Sequence, residues 1–238
     1  RELRGILNRT YQHFGQTFIE FMRTPIRSKE EMRERVVMKN PEILKAALSN
    51  NKGAILMTGH FGNWEIMGAA IATLYTPLAV LAKAQRNAAV DKLINEYRSA
   101  AYIETVPLGL AVRGVLKALR QGKAMALLAD QNAKKDSIFV PFLGRKAATA
   151  PGPALFALKT GAPVVFGACI LRKDGRYSVF YERLKTDDIQ GVSEENIRIL
   201  TERHVQTLEC FIKRYPDHWF WMHKRWRTRP PEEKKART

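Results

Sequence analysis

The stretch Ala54-Ile55-Leu56-Met57-Thr58-Gly59-His60-Phe61-Gly62-Asn63-Trp64-Glu65 decides how the rest of the chain is read. Ala54 to Met57 is a short apolar run of the kind found in a strand buried on both faces. The segment from Trp64 to Leu74 has helical spacing, with Met67, Ala70, Ile71 and Leu74 on its inward side. Between them, Gly59 and Gly62 permit a sharp turn and a close approach of backbone. Asn63 is suited to cap the helix, which places Glu65 in its first turn.

Outward from this unit, short apolar runs alternate with amphipathic segments. Downstream, Leu78 to Leu81, Ile103 to Val106 and Ala124 to Leu128 read as strands. Val90, Leu93, Ile94, Tyr97 and Ala101 mark one intervening helix face. Val112, Val115, Leu116 and Leu119 mark another, closed by Gly122. Pro153 to Thr160 begins a further helix. Val164 to Leu171 and Tyr177 to Tyr181 flank Asp174-Gly175, a hairpin signal. A last helix starts at Ser193 and is stopped by Pro216. The pattern predicts an α/β domain: a mostly parallel central sheet flanked by helices, with a late β-hairpin. Functional groups in such a fold sit at the strand ends.

Upstream, Leu3, Ile6, Leu7, Tyr11, Phe14, Phe18, Phe21 and Met22 give Arg1 to Met22 a broad apolar stripe at helical spacing, closed by Pro25. Two readings fit residues 1–24: a helix packed on the domain, or an interfacial helix lying against lipid. A charged segment from Arg27 to Arg35 follows, then a helix near Pro41.

With 238 residues, 45% of them hydrophobic, one domain over residues 1–230 with a basic tail at 231–238 is expected. Forty Lys and Arg against 23 Asp and Glu give a net charge of +17. That excess attracts polyanions without choosing among nucleic acid, anionic lipid and acidic protein. The longest apolar run, Ala162 to Leu171, is about half the roughly 20 residues a bilayer span requires. The first residue is Arg1 rather than Met, so an upstream signal or anchor segment is expected to be absent from this chain. Cys169 and Cys210 match no metal or redox spacing and read as buried thiols.

His60 and Glu65 carry the chemical signal. Five residues apart, they would stand roughly 140° apart on one continuous helix. With His60 on the turn and Glu65 on the helix they converge, as a general base and the carboxylate that orients it. The plainer alternative is a histidine ending a strand and a glutamate favouring a helix dipole. A metal site is disfavoured by the single histidine in this region, and no phosphate-binding G-x-x-x-x-G-K-[ST] motif occurs. No metal or cofactor is expected.

Gly59-His60-Phe61-Gly62-Asn63-Trp64-Glu65 resembles the H-x4-E block of the bacterial lipid A lauroyl/myristoyl acyltransferases, a branch of the glycerolipid acyltransferase superfamily. Asp130-Gln131 after the fourth strand is similar to that family's strand-end pair. Phe139 to Gly144 and Thr149 to Ala154 match its PFFG and T-x-x-G-x-A segments, and Trp219 to Pro230 its W-x-x-R-W-x-x-R-P close. The likeness runs from about residue 5 to 230. It implies an α/β acyltransferase core at the cytoplasmic face of a bacterial inner membrane. The reaction it implies moves an acyl group from acyl carrier protein to a hydroxyl of a lipid A precursor.

By match of position, His60 is the general base and Glu65 its partner. Arg98, Asp130, Gln131, Asn63 and Arg86 are the candidate substrate-binding residues. Arg98 also reads as a solvated arginine, or as the ion-pair partner of Asp91 or Glu104. The chain departs from the family at Lys83-Ala84-Gln85-Arg86-Asn87, where many members carry Tyr-Arg-Pro, and this bears on the acceptor more than on the reaction.

Trp219, Phe220, Trp221, His223, Lys224, Arg225, Trp226, Arg227 and Arg229 interleave aromatic and cationic groups. They suit a membrane interface and an anionic glycolipid acceptor; the plainer alternative is a packed helix end with a solvated tail past residue 231, in which Trp219 and Trp226 belong to the core or the site wall. The same composition would stack single-stranded nucleic acid, but no nucleic acid partner is expected. A thioester hydrolase using the same His-Glu pair is a further alternative. A serine mechanism lacks its G-x-S-x-G elbow.

Overall fold

Strands and helices alternate along most of the chain, as the hydrophobic runs require. The computed structural model describes residues 2–49, 52–134 and 136–235. It begins with α1 (Glu2–Arg23), a 3-10 turn (Thr24–Ile26), α2 (Lys29–Arg35), β1 (Val36–Met38) and α3 (Glu42–Leu48). The central units are β2 (Ala54–Thr58), α4 (Trp64–Leu74), β3 (Leu78–Ala82), α5 (Ala88–Ala100) and β4 (Ile103–Pro107). After a 3-10 turn (Leu108–Leu110) come α6 (Ala111–Arg120), β5 (Ala124–Leu128), β6 (Ile138–Phe142), β7 (Arg145–Thr149) and α7 (Gly152–Thr160). The chain closes with β8 (Val164–Leu171), β9 (Tyr177–Arg183), α8 (Glu194–Arg214), a 3-10 turn (Pro216–His218) and α9 (Pro231–Lys235).

Seven strands form one sheet in the order β1-β9-β8-β2-β5-β3-β4. All its pairings are parallel except that of β8 with β9, the late hairpin. Central strands are covered on both faces. Ile55 and Met57 of β2 join Met125 and Leu127 of β5 in the core beneath α6, α7 and α8. Ala54 and Leu56, with Ala124 and Ala126, face the core built by α3 and α4. The apolar runs at Ala54 and Ala124 follow from this two-sided burial.

Most predicted elements keep their bounds. Ser193 caps α8 by accepting from the Asn196 N–H at 3.1 Å, and Gly122 follows α6 with φ +71°. Five elements were not foreseen: α2, β1, the two strands of the separate β6–β7 hairpin and α9. The charged segment after Pro25 is helical because Ser28 and Glu31 form a reciprocal capping box. Its arginines meet a buried acid, since Arg27 and Arg35 both pair with Glu20. Residues 231–233 of the tail are exposed as expected, and Glu232 of α9 pairs with Lys146 at 2.8 Å on the surface. Residues 236–238 of that tail, and Arg1 of the first helix, lie outside the described residues.

The packed reading of the first helix holds. It packs on the domain through Thr10, His13, Phe14, Thr17 and Glu20. Its apolar stripe, Leu3, Leu7, Tyr11, Phe18, Ile19 and Met22, is exposed to solvent. Of the large apolar residues expected on that stripe, only Phe14 is buried, and it packs towards the loop after β2. Among the described residues no helix is long and apolar enough to cross a membrane. Cys169 is buried as expected; Cys210 is exposed, because it falls on the outer side of α8.

Candidate active site

The site grows from the paired ends of β2 and β5. These strands run parallel in a register that aligns Thr58 with Leu128. Two residues further along each chain stand His60 and Asp130. The register therefore brings together groups that are 70 positions apart in sequence. Gly59 eases their approach, since a Cβ there would lie a tight 3.1 Å from the Asp130 carboxylate carbon. Gly62 turns the chain with φ +59°, and a Cβ on it would sit 1.5 Å from the Cys169 carbonyl oxygen.

Asp130 receives three N–H groups. The His60 backbone N–H donates to Oδ2 at 2.8 Å and the Trp219 indole N–H donates to the same oxygen at 2.9 Å. The His60 ring places Nδ1 at 2.7 Å from Oδ1. Only 2% of the Asp130 side chain is exposed. Burial by itself would raise this carboxyl, but the adjacent imidazole and the His60 and Trp219 donors outweigh it and hold the group at about 2. The acceptor-only carboxylate assigns the Nδ1–H tautomer to His60. Nε2 is then the basic nitrogen. It lies 3.4 Å from the Gln131 side-chain nitrogen, in a setting walled by Trp64 and Phe220 at ring separations of 4.9 and 6.4 Å.

Glu65 does not orient this imidazole. Its carboxylate forms a two-pronged contact with Arg98, at 2.5 Å to one guanidinium nitrogen and 3.2 Å to another, and also accepts from the Trp64 indole at 3.2 Å. The expected His60–Glu65 pair is thus corrected to His60–Asp130 and Glu65–Arg98. The reason is the β2–β5 register, which carries the strand-end acid to the histidine while α4 turns Glu65 towards α5. Arg98 meets neither Asp91 nor Glu104 but locks α4 to α5 beside the site.

Asn63 has no group to offer a ligand. It is fully buried, caps α4 through its side-chain oxygen at 3.0 Å from the Ile66 nitrogen, and donates to the Tyr177 hydroxyl at 3.4 Å. Arg86 stands exposed on the loop between β3 and α5. Among the described residues, no group of three or more His, Cys, Asp or Glu is placed to hold a metal ion.

The terminal segment forms one side of the site, which the sequence reading treated as a basic, aromatic end. The Gly62 N–H donates to the His218 carbonyl at 2.7 Å and the Phe220 N–H to the His60 carbonyl at 3.0 Å. Phe61 and Trp219 thereby form an isolated antiparallel bridge. Arg225 is almost fully buried and donates to the Ala148 carbonyl and the Thr149 hydroxyl, each at 2.5 Å. Phe14 of α1 packs against Trp64 and Phe220, so the first helix also supports the wall around His60.

An imidazole held this way can take a proton at Nε2 and return it, with a buried carboxylate compensating the charge formed in between. The bacterial lipid A biosynthesis acyltransferase family model matches residues 1–228. The chain belongs to this family. It is similar to the phosphatidylinositol mannoside acyltransferase of Mycolicibacterium smegmatis, 24% identical over 228 residues, covering 94% of this chain and 73% of the relative. The Mycobacterium tuberculosis (strain ATCC 25618 / H37Rv) protein of that name is 22% identical over 233 residues, covering 94% and 71%. The Escherichia coli (strain K12) lipid A biosynthesis palmitoleoyltransferase is 25% identical over 197 residues, covering 80% of this chain and 61% of its own length. The chain is accordingly an acyltransferase of the lipid A and glycolipid type.

Proposed function

We propose that residues 1–230 act as one O-acyltransferase domain that moves a fatty acyl chain from an acyl thioester to a hydroxyl of an anionic glycolipid at a membrane surface. The observation that carries this reading is the His60 imidazole, fixed by Asp130 on one nitrogen and presented on the other.

His60 Nε2 removes the proton of the acceptor hydroxyl as the oxygen attacks the thioester carbon. The tetrahedral intermediate carries its negative charge on the former carbonyl oxygen. Gln131, whose amide nitrogen lies beside Nε2, is placed to donate to that oxygen or to the acceptor. Collapse breaks the carbon–sulfur bond, and the imidazolium returns its proton to the departing thiolate. Glu65 and Arg98, neutralising each other, hold α4 and α5 in place; Arg86, on the open loop, offers a cation to an anionic headgroup.

A lipid A precursor is one acceptor of this type; the mannoside acyltransferase relatives make another membrane glycolipid an equal chemical fit. Acyl carrier protein is the proposed donor, because acidic carriers suit a chain of net charge +17. The exposed stripe on α1 suits the cytoplasmic face of a bacterial inner membrane.

Purified protein incubated with acyl carrier protein or coenzyme A thioesters and membrane glycolipids tests the reading, with products identified by mass. Transfer to a glycolipid hydroxyl, reduced about 1,000-fold in His60→Ala, is expected. Full transfer by His60→Ala, or thioester hydrolysis with no acylated lipid under any donor, would overturn it.

A further inference from the structure

Asp130 owes one of its three hydrogen bonds to a residue outside the strand ends, and that donor sits on a segment built as a brace. Trp219 is 1% exposed, its indole N–H donates to Asp130 Oδ2 at 2.9 Å, and its flanking backbone is tied to the His60 loop on both sides. Further along, the Asn132 N–H donates to His223 Nε2 at 2.8 Å, and Asn132 exchanges hydrogen bonds with Thr228 at 2.8 and 3.0 Å. Arg225 lies between these contacts and grips β7. Both strand ends are thus fastened to one piece of chain.

The energetic asymmetry is informative. A buried carboxylate gains from each charged-acceptor hydrogen bond about twice what a neutral pair gives. Packing alone does not require Trp219 to aim its N–H at Asp130. Trp219 and Trp226 both pack on the Phe142 ring, at 5.3 and 5.7 Å, yet among the described residues the Trp226 indole nitrogen has no hydrogen-bond partner. Of the two indoles in this cluster, that of Trp219 is the one bonded to the acid behind the histidine.

We propose that Trp219 is a positioning residue of the acyl transfer, its indole N–H fixing the Asp130 carboxylate so that Oδ1 meets the Nδ1–H of His60. Without that donor Oδ2 keeps only the His60 backbone N–H, so the carboxylate is held less firmly and the aim of the imidazole loosens. The inference rests on the acyltransferase reading given above, and its tests include one that needs no activity.

The test compares Trp219→Phe with Trp226→Phe in the full chain, using a donor and acceptor on which the native protein is active. Trp219→Phe is expected to lower kcat about 10-fold, with both KM values within about twofold. Trp226→Phe is expected to stay within about twofold of native in both. In nitrogen-15 spectra the His60 Nδ1–H resonance, downfield in the native protein, is expected to broaden or vanish only in Trp219→Phe. Equal losses in both variants, or an unchanged kcat in Trp219→Phe, would overturn the proposal by reducing Trp219 to packing.

Should Trp219→Phe fail to fold, the native indole resonance decides. The Trp219 N–H should be protected from exchange and should shift in Asp130→Asn, whereas a freely exchanging, unshifted signal sinks the inference. Inactivity of the native protein on every substrate would count against the acyltransferase reading and leave the resonance test standing.

Discussion

Asp130 keeps its charge at a depth where an unassisted carboxylate would take up a proton. Its three donors do two things at once: they stabilise the ion, and they aim one oxygen at the histidine. Asp130→Asn retains the shape and removes the charge, so kcat should fall by about 100-fold or more while circular dichroism stays native. The linkage has a definite sign. The folded carboxyl titrates at about 2 against an ordinary 3.8, so ionised Asp130 adds stability that is present above about 3.8 and lost as pH falls through 2. Urea unfolding of the native protein and of Asp130→Asn should therefore differ at pH 6 and converge near pH 2. Gly62→Ala belongs to the same scale. With the new methyl carbon overlapping the Cys169 carbonyl oxygen, the His60 loop must move, and both stability and transfer should collapse together. A soluble, fully active Gly62→Ala protein would contradict the described turn.

The first helix is the element with most still to show. Apart from Phe14 its inner face is polar, and an apolar stripe runs along its exposed side, unlike an ordinary surface helix. Charged replacements at Leu7 and Phe18 remove apolar area from the outward stripe without touching the packed side. Leu7→Asp with Phe18→Asp should weaken co-sedimentation with anionic phospholipid vesicles about 10-fold or more, leaving thermal unfolding near native. On the inner face, burial and the charge of nearby His218 push His13 down to about 4. The unfolded imidazole binds a proton below 6.5, which the native one refuses until about 4. Stability is thus complete above 6.5 and declines as pH falls towards 4. Protection factors of the α1 amides, referred to the intrinsic exchange rate at each pH, should fall between pH 6.5 and 5, and His13→Phe should flatten that response. His204, also held at about 4 by burial, will leave a residual pH dependence in the variant.

At the scale of the whole molecule, charge and order of assembly set what can be foreseen. With a net charge of +17, the KM for an acidic carrier protein should rise about 10-fold between 50 and 500 mM salt, and the KM for a coenzyme A thioester much less. Equal salt responses would argue against the carrier as donor. The α/β architecture was legible because strands buried on both faces leave runs such as Ala54 to Met57, and amphipathic helices between them leave their period. His60 was legible for the same local reason, a glycine-flanked turn between the two kinds of pattern. Its true partner was not. Local spacing favoured Glu65, whereas the partner is chosen by which strand lies beside β2 and in what register, neither of which is written in any short window. A packed Trp219 was one of the readings the sequence offered, but its bond to Asp130 and the burial of Arg225 were hidden, because a run of cations and aromatics looks the same whether it is wet or packed.

Asp130 and Trp219 are separated by 89 residues, and the ribosome makes the tryptophan last. A nascent chain therefore possesses its histidine and its acid long before it possesses the brace that sets them. A polypeptide stopped before Trp219 would thus carry both members of the pair with one of the acid's three donors missing.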